Sequence, residues 1–367
     1  MYLKSLQLYN FKNYSENLFN FSESINCFIG DNGAGKTNIL DAIYYLSFTK
    51  SYFNLLDNQN IKHGEEFFAI HGKFARNSHT DDVSCIQRRS IKKQFRINDK
   101  DYDRMVDHIG EFPLVLVSPY DRDLINEGSD IRRKYIDSVI SQFDKSYLND
   151  LVTYNKALFQ RNALLRHFSE KRYFDKDSIE IYDKQMEGPA ARIYEKRVGF
   201  LKGFIPVFRQ YFEFISNGKE IVDINYLSGL ADNTLSEILI LNTERDLSMK
   251  YTTGGVHKDD LDFLISDLPV KKFGSQGQQK SFLIALKLAQ FEYTKNIKGF
   301  KPILLLDDIF DKLDYKRVSQ IINLVGGNNF GQVFITDTQS DRINTLFKAS
   351  GQDHLIFNVT DGKAALQ

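Results

Sequence analysis

Apolar and polar residues alternate through LKSLQLYNF near the start of the chain, which predicts a strand with one buried face. INCFIG, from Ile25 to Gly30, is a short apolar run and predicts a second strand. A helix is expected after it, with Ile39, Leu40, Ile43 and Leu46 spaced as one buried face. FFAIHGKFAR and VSCIQRRSIKKQFRIN predict antiparallel strands separated by the polar break NSHTDD. From Ile131 the period changes. Ile131, Tyr135, Ile136, Val139, Ile140, Phe143, Tyr147, Leu148 and Leu151 recur at spacings of three and four, and Leu158, Leu164, Leu165 and Phe168 continue the pattern. Beyond SEKRYFDKDS a second helical run carries Ile193, Tyr194, Val198, Leu201, Ile205 and Phe212. Gly188-Pro189 is expected to break or kink it. These runs predict an antiparallel helical arm, too short and irregular for a long coiled coil. ILLLDD and QVFIT then return to continuous apolar runs, as in parallel strands buried on both faces. The expected fold class is α/β: a nucleotide-binding head formed by residues 1–130 and 251–367, interrupted by a helical arm over 131–250.

GDNGAGKTN supplies the first chemistry. Gly30, Gly35, Lys36 and Thr37 satisfy G-x-x-x-x-G-K-[ST], between a predicted strand and a predicted helix, which is the context this motif needs. The loop residues Asp31, Asn32, Gly33, Ala34 and Asn38 fill the same turn. Glycines let several N–H groups converge on one phosphate, and the helix N-terminus adds positive potential. Lys36 is expected to reach the terminal phosphates of ATP, and Thr37 to ligate magnesium. LLLDDIFDKLD delivers a partner site. Asp307 at the strand end is suited to hold Mg2+, and Asp308 to orient or deprotonate the attacking water. A carboxylate pair that merely caps the following helix is the structural alternative. In GSQGQQKSFLIALKLAQ, Ser275 and Gly277 precede a helix bearing Phe282, Ala285, Leu286 and Ala289. That is a second anion-binding cap, or a simple N-cap by Ser275.

Composition narrows the class without naming it. The 367 residues are 42% hydrophobic and 26% charged, ordinary for a globular protein. Formal net charge is zero, so any grip on nucleic acid must come from local patches. The two cysteines, Cys27 and Cys85, sit in apolar strand-like stretches and read as reduced core residues. The N-terminus reads as a strand and lacks a cleavage site, and no apolar run approaches the ~18 residues of a membrane span. A cytoplasmic protein with no membrane partner is expected.

LYNFKNY, GDNGAGKTNILDAIYYLS, SPYDRDLINEGSDIRRKYID, GGVHKDDL, SQGQQK and DDIFDKLD occur in this order, and together the chain resembles the RecF family, relatives of SMC heads. The resemblance covers essentially the whole chain. It implies an ATP-binding-cassette ATPase head that binds ATP with Mg2+. It also implies head-to-head homodimers formed through that ATP, which hold DNA at single-strand gaps and assist RecA loading with RecO and RecR. On that basis Ser275, Gln276, Gly277, Gln278, Gln279 and Lys280 would close on ATP held by the other copy. Lys12 and Asn13 would lie near the nucleotide, and Asp311, Leu313 and Asp314 would cross to the partner head. Some positions depart from the usual patterns. Ser51-Tyr52-Phe53 stands where Ser-Phe-Arg is usual, and Gly255-Val256-His257-Lys258-Asp259-Asp260 where Gly-Pro-His-Arg-Asp-Asp is usual. Asp308 replaces the glutamate of most cassette ATPases, so hydrolysis is expected to be slow, and Asp337 stands where transporter cassettes place a histidine.

Candidate DNA patches are Arg88, Arg89, Lys92, Lys93 and Arg96; Arg132, Arg133 and Lys134; and Arg161, Arg166, Lys171 and Arg172. In a regular strand Arg88, Lys92 and Arg96 would share one face. Such residues neutralise phosphates without reading sequence. Competing readings are a transporter cassette, another SMC-like ATPase of DNA defence or maintenance, and a clamp that binds ATP without hydrolysing it. The long separation of Thr37 from Ser275 counts against the transporter, and the lack of a long coiled coil or nuclease segment against the second.

Overall fold

The computed structural model describes residues 1–54, 56–76, 78–218, 220–309, 320, 329–339 and 353–367. β1 (Tyr2–Phe11) and β2 (Tyr14–Asn20) form the opening hairpin, and β3 (Ile25–Ile29) leads into α1 (Lys36–Phe48). β4 (Phe67–Arg76), β5 (His79–Arg88), β6 (Gln94–Ile97) and β7 (Lys100–Asp101) make a meander, followed by β8 (Leu114–Val117). Four helices come next: α2 (Asp123–Asn126), α3 (Ser129–Ser141), α4 (Lys145–Lys171) and α5 (Lys176–Ser216). β9 (Val222–Leu227), α6 (Leu235–Leu241), α7 (Thr243–Met249), β10 (Asp260–Ile265), β11 (Leu268–Pro269) and α8 (Val270–Phe273) follow. α9 (Gln276–Lys298), β12 (Ile303–Leu306), β13 (Val333–Asp337), β14 (His354–Thr360) and β15 (Lys363–Leu366) complete the described elements.

Two compact units emerge. One comprises Met1–Asp121, Phe214–Asn217 and Leu283–Gln367; the other Arg122–Glu213 and Gly218–Phe282. The expected boundaries at 130/131 and 250/251 differ from these, because β10 pairs antiparallel with β9 and so draws the segment after residue 250 into the helical unit.

The first unit holds two six-stranded sheets. One has the order β2-β1-β4-β5-β6-β7, and the other β15-β14-β3-β13-β12-β8. In the second, β14, β3, β13, β12 and β8 run parallel, which agrees with the continuous apolar runs. Leu3, Leu6, Leu8 and Phe11 of β1 join one core with Phe28, Phe334 and Phe357 of the parallel sheet. α1 belongs to that core on nearly all sides. Ala42, Tyr44 and Tyr45 are buried along with the expected Ile39, Leu40, Ile43 and Leu46. The helix packs against both sheets, so one apolar face was too narrow an expectation.

The expected long strand at VSCIQRRSIKKQFRIN is a hairpin, with β5 ending at Arg88 and β6 starting at Gln94. The turn is held by Gln87, whose amide donates to the carbonyls of Arg88 and Ile91 at 2.6 and 3.1 Å. Strand regularity therefore does not align Arg88, Lys92 and Arg96. Register does place Arg96 opposite Ser84, so Arg96 and Arg88 share a sheet face, while Lys92 lies in the turn.

The second unit packs α3, α4 and α5 with the three-stranded sheet β11-β10-β9. The continuous period through Ile131–Leu151 divides at Asp144, which caps α4 by accepting from the Tyr147 N–H at 2.8 Å. α5 does not break at Pro189; it runs through both Pro189 and Pro206. Met186, Ala190 and Ile193 on either side of Pro189 are fully buried, and such burial offsets the ~3 kcal/mol that an interior proline costs. Arg197, buried on α5, donates to Asp137, Asp259 and the Val256 carbonyl at 2.8–2.9 Å. The segment around GGVHKDDL thus has a structural task within this unit.

Candidate nucleotide-binding site

The phosphate loop leaves β3 at Ile29 and enters α1 at Lys36. Gly33 and Gly35 take φ of 84° and 116°, which side chains disfavour. Gly30 has a different reason. A Cβ there would lie 2.2 Å from the Val359 carbonyl oxygen of β14. Neighbours brace the loop from two directions. Asn13 donates through Nδ2 to the Ala34 carbonyl at 3.0 Å and accepts through Oδ1 from Asn38 at 2.7 Å. The Gly362 N–H donates to the same Ala34 oxygen at 3.0 Å. Tyr14, on β2, donates its hydroxyl to the Gly35 carbonyl at 3.2 Å. Asn13 therefore lies against the phosphate loop. Lys12 instead points to α1, its ammonium 2.6 Å from the buried Asp41 carboxylate. The Phe53 ring, where the family has arginine, sits 5.2 Å from that ammonium.

Lys36 is buried and donates Nζ to the carbonyls of Gly30 and Asp31 at 2.8 and 3.0 Å. Thr37 donates its hydroxyl to Asp307 Oδ1 at 2.9 Å. The loop and the end of β12, far apart in sequence, thus meet directly. Burial pushes the Asp307 carboxyl up to about 6, against hydrogen bonds from Thr336 and Thr37 that pull the other way. Asp308 takes φ of 43°, and its N–H donates to Thr336 Oγ1 at 2.9 Å. A hydroxyl and a carboxylate converging here suit Mg2+, which takes few protein oxygens and completes its shell with phosphates and water. Among the described residues no cluster of three or more His, Cys, Asp or Glu could hold a metal by itself.

Beside the loop lies a cleft of about 510 Å³, lined by Ile29 to Ala34 and by Asn358, Val359, Thr360 and Asp361. Sequence reasoning passed over this last hairpin. Asp361-Gly362 between two apolar strands is its signal, and both residues take positive φ, as a tight hairpin turn requires. Thr336 was also missed, because nothing in VFIT marks it as polar machinery.

In the second unit, Ser275 and Gln278 form a reciprocal cap on α9. The Gln278 N–H donates to Ser275 Oγ at 3.2 Å, and the Ser275 N–H to Gln278 Oε1 at 2.6 Å. Gln279 donates to the carbonyls of Val270 and Gly274. Gln276, Gly277 and Lys280 share this first part of α9. Asp311, Leu313 and Asp314 lie outside the described residues.

The basic candidates separate. Arg132 grips Asp260 with two bonds of 2.6 and 2.9 Å and donates to the Leu124 and Glu127 carbonyls. Arg133 donates to the Asp259 carbonyl at 2.6 Å, and Arg161 is buried against Asp183 and Asp246. Lys93 is tied to Asp57 and the Thr49 carbonyl. These side chains serve the fold. Arg88 and Lys92 are exposed, and Arg96 pairs with Asp101 at 2.9 Å on the surface.

Known proteins of the same build are numerous. The family model described as RecF/RecN/SMC N terminal domain matches residues 2–354. The DNA replication and repair protein RecF of Flavobacterium johnsoniae is 51% identical, over 98% of this chain and 100% of its own length. The protein of the same name from Bacteroides thetaiotaomicron is 46% identical, over 99% and 98%. A solved structure of the recombination mediator protein RecF-ATP in the RecFOR pathway superposes with a TM-score of 0.90 at 30% identity, covering 100% of this chain and 97% of that one. An Smc head domain from Pyrococcus furiosus, at 17% identity and a TM-score of 0.59 over 100% of this chain and 96% of that one, shares the fold. On sequence, over its full length, and on fold, this chain belongs to the RecF family of DNA replication and repair proteins.

Proposed function

We propose that this chain binds ATP with Mg2+ and that two copies then close head to head on DNA, serving recombinational repair at single-strand gaps. The observation that carries the reading is the Thr37–Asp307 hydrogen bond, which unites a phosphate loop with a strand-end carboxylate at the place a magnesium nucleotide requires. Lys36 would exchange its carbonyl partners for the terminal phosphates, Thr37 and Asp307 would hold the metal, and Asp308 would orient the attacking water. Ser275 to Lys280 of the second copy would complete the site. The shorter reach of Asp308 favours slow turnover, so hydrolysis would time release. RecO and RecR are the partners this reading implies, with RecA as the protein whose loading is assisted. Arg88 and Lys92 are better placed for DNA phosphates than Arg132 or Arg133, which are engaged within the fold.

Sedimentation of the purified protein with ATP and Mg2+, with and without gapped DNA, tests the proposal. A dimer that needs both nucleotide and metal is the expected result; a monomer under every condition overturns it.

A further inference from the structure

Thr336 lies fully buried on β13, one strand away from the acidic pair. Its hydroxyl has one proton and makes one donation, to Asp307 Oδ1 at 2.8 Å. Its oxygen also accepts, from the Asp308 N–H at 2.9 Å. One side chain therefore touches the carboxylate of one acidic residue and the backbone of the next. Both contacts have consequences. Thr37 and Thr336 bind the same Asp307 oxygen, and among the described residues no side chain hydrogen-bonds Oδ2. The carboxylate plane is fixed while one oxygen stays uncommitted for a metal or its water. At Asp308, φ of 43° is a left-handed conformation that a non-glycine residue holds only when its surroundings enforce it. The bond from its N–H to Thr336 is such an enforcement, and it determines where the Asp308 side chain sets out from the strand. β13 is rigid enough to impose this, being paired in parallel with β3 on one side and β12 on the other.

We infer that Thr336 is a positioning residue for the metal–nucleotide chemistry of this site: its hydroxyl sets the Asp307 carboxylate for the metal and pins the Asp308 backbone so that the second carboxylate faces the reacting water. Its hydroxyl bonds to the two aspartates and acts through them. The inference rests on the proposed function, since it assigns a task within that reaction. A valine at this position keeps the shape and removes the hydroxyl. Removing groups that orient metal ligands commonly costs 10- to 100-fold in metal affinity or activity.

The test compares wild type with Thr336→Val, Thr336→Ala and Thr336→Ser. Two readouts are taken: the Mg2+ concentration at which ATP half-maximally raises the melting temperature, and steady-state ATP hydrolysis. Thr336→Val and Thr336→Ala should raise the Mg2+ midpoint and lower kcat by about 10- to 100-fold. ATP affinity measured in EDTA should change by less than about threefold, because the phosphate loop is untouched. Thr336→Ser, which keeps both hydrogen bonds, should recover both properties. If Thr336→Val fails to fold, Thr336→Ala removes the same hydroxyl without adding a methyl group and decides the matter. Hydroxyl-less variants with a wild-type Mg2+ midpoint and kcat overturn the inference, and so does a serine variant as impaired as valine, because the packed methyl would then be the cause. A wild-type protein that shows no Mg2+-dependent response to ATP instead overturns the proposed function, and the positioning role with it.

Discussion

Asn13→Ala tests whether the phosphate loop is braced from outside itself. The substitution deletes two hydrogen bonds, to Ala34 at 3.0 Å and from Asn38 at 2.7 Å. Each contributes about 1 kcal/mol net. The loss is softened at both ends. Ala34 keeps its bond from the Gly362 N–H, and Asn38 is only half-buried, so water can replace Asn13 there. A loss of about 1–2 kcal/mol in loop order is expected, and if ATP binding must restore that order, affinity falls about 5- to 30-fold. Asn13→Asp should be worse. It removes the donor to Ala34 and sets a carboxylate against a carbonyl oxygen beside the phosphates. The assay is equilibrium titration of a fluorescent ATP analogue in EDTA, so that metal ligation does not enter, with the melting curve of each variant as control. The reasoning predicts the order wild type, Asn13→Ala, Asn13→Asp. Affinity of the alanine variant within twofold of wild type would refute the brace, as would tighter binding by the aspartate variant.

Two further outcomes follow from particular side chains. His257 Nε2 faces the Thr252 carbonyl at 3.0 Å, so it carries the proton, and Nδ1 accepts from the Tyr154 hydroxyl at 2.7 Å. Burial pushes its pKa down to about 4 from 6.5, so the folded state keeps the ring neutral where the unfolded chain would protonate it. The stability this confers is complete above pH ~6.5 and is lost as pH falls towards ~4, by up to about 3 kcal/mol. Urea denaturation from pH 7 to 4 should show that loss in wild type and a flatter profile in His257→Gln, and equal slopes would refute the account. On the sheet face and turn, Arg88→Ala with Lys92→Ala should weaken DNA binding and reduce the slope of log K against log salt by about two units. Arg96→Ala should matter less, because Asp101 already offsets its charge; an unchanged slope in the double variant excludes this patch.

What the chain disclosed depended on how many partners each element has. Parallel strands at ILLLDD and QVFIT were legible, because burial on both faces leaves an unbroken apolar run. α1 was legible as a helix but not as a helix enclosed by two sheets, since spacing reveals one face and Tyr44 and Tyr45 read as neutral. The hairpin at residues 88–94 was hidden because its turn lacks the usual glycine and relies on the side chain of Gln87. Proline at 189 misled for the opposite reason. A local penalty of ~3 kcal/mol is visible in sequence, whereas the buried Met186, Ala190 and Ile193 that offset it are not. Lys36, Thr37 and Asp307 could be named as candidates because local motifs mark them. Thr336 and the hairpin ending in Asp361-Gly362 were not, since they act by lying beside that motif in space.

The phosphate loop and the start of α9 each satisfy polar groups internally. The Lys36 ammonium, buried, would be costly without partners, and the Gly30 and Asp31 carbonyls serve as its acceptors. In the other unit, Ser275 and Gln278 satisfy each other's N–H groups at the start of α9. Such bonds reduce the apparent gain from a phosphate, because binding exchanges one hydrogen bond for another. For the proposed nucleotide the exchange is still favourable at Lys36, since a phosphate's negative charge attracts the ammonium more strongly than a neutral carbonyl dipole does. What the internal bonds give in return is shape. A loop fixed by Asn13, Tyr14 and Gly362 and a helix end fixed by its own cap have little disorder left to lose when ATP arrives, so more of each new bond is expressed as affinity. Under the proposed head-to-head closure, the preorganised cap of α9 would suit a ligand held by a second copy. An entropic cost at that surface would have to be met by two proteins meeting at low concentration, and a cap already formed removes that part of it.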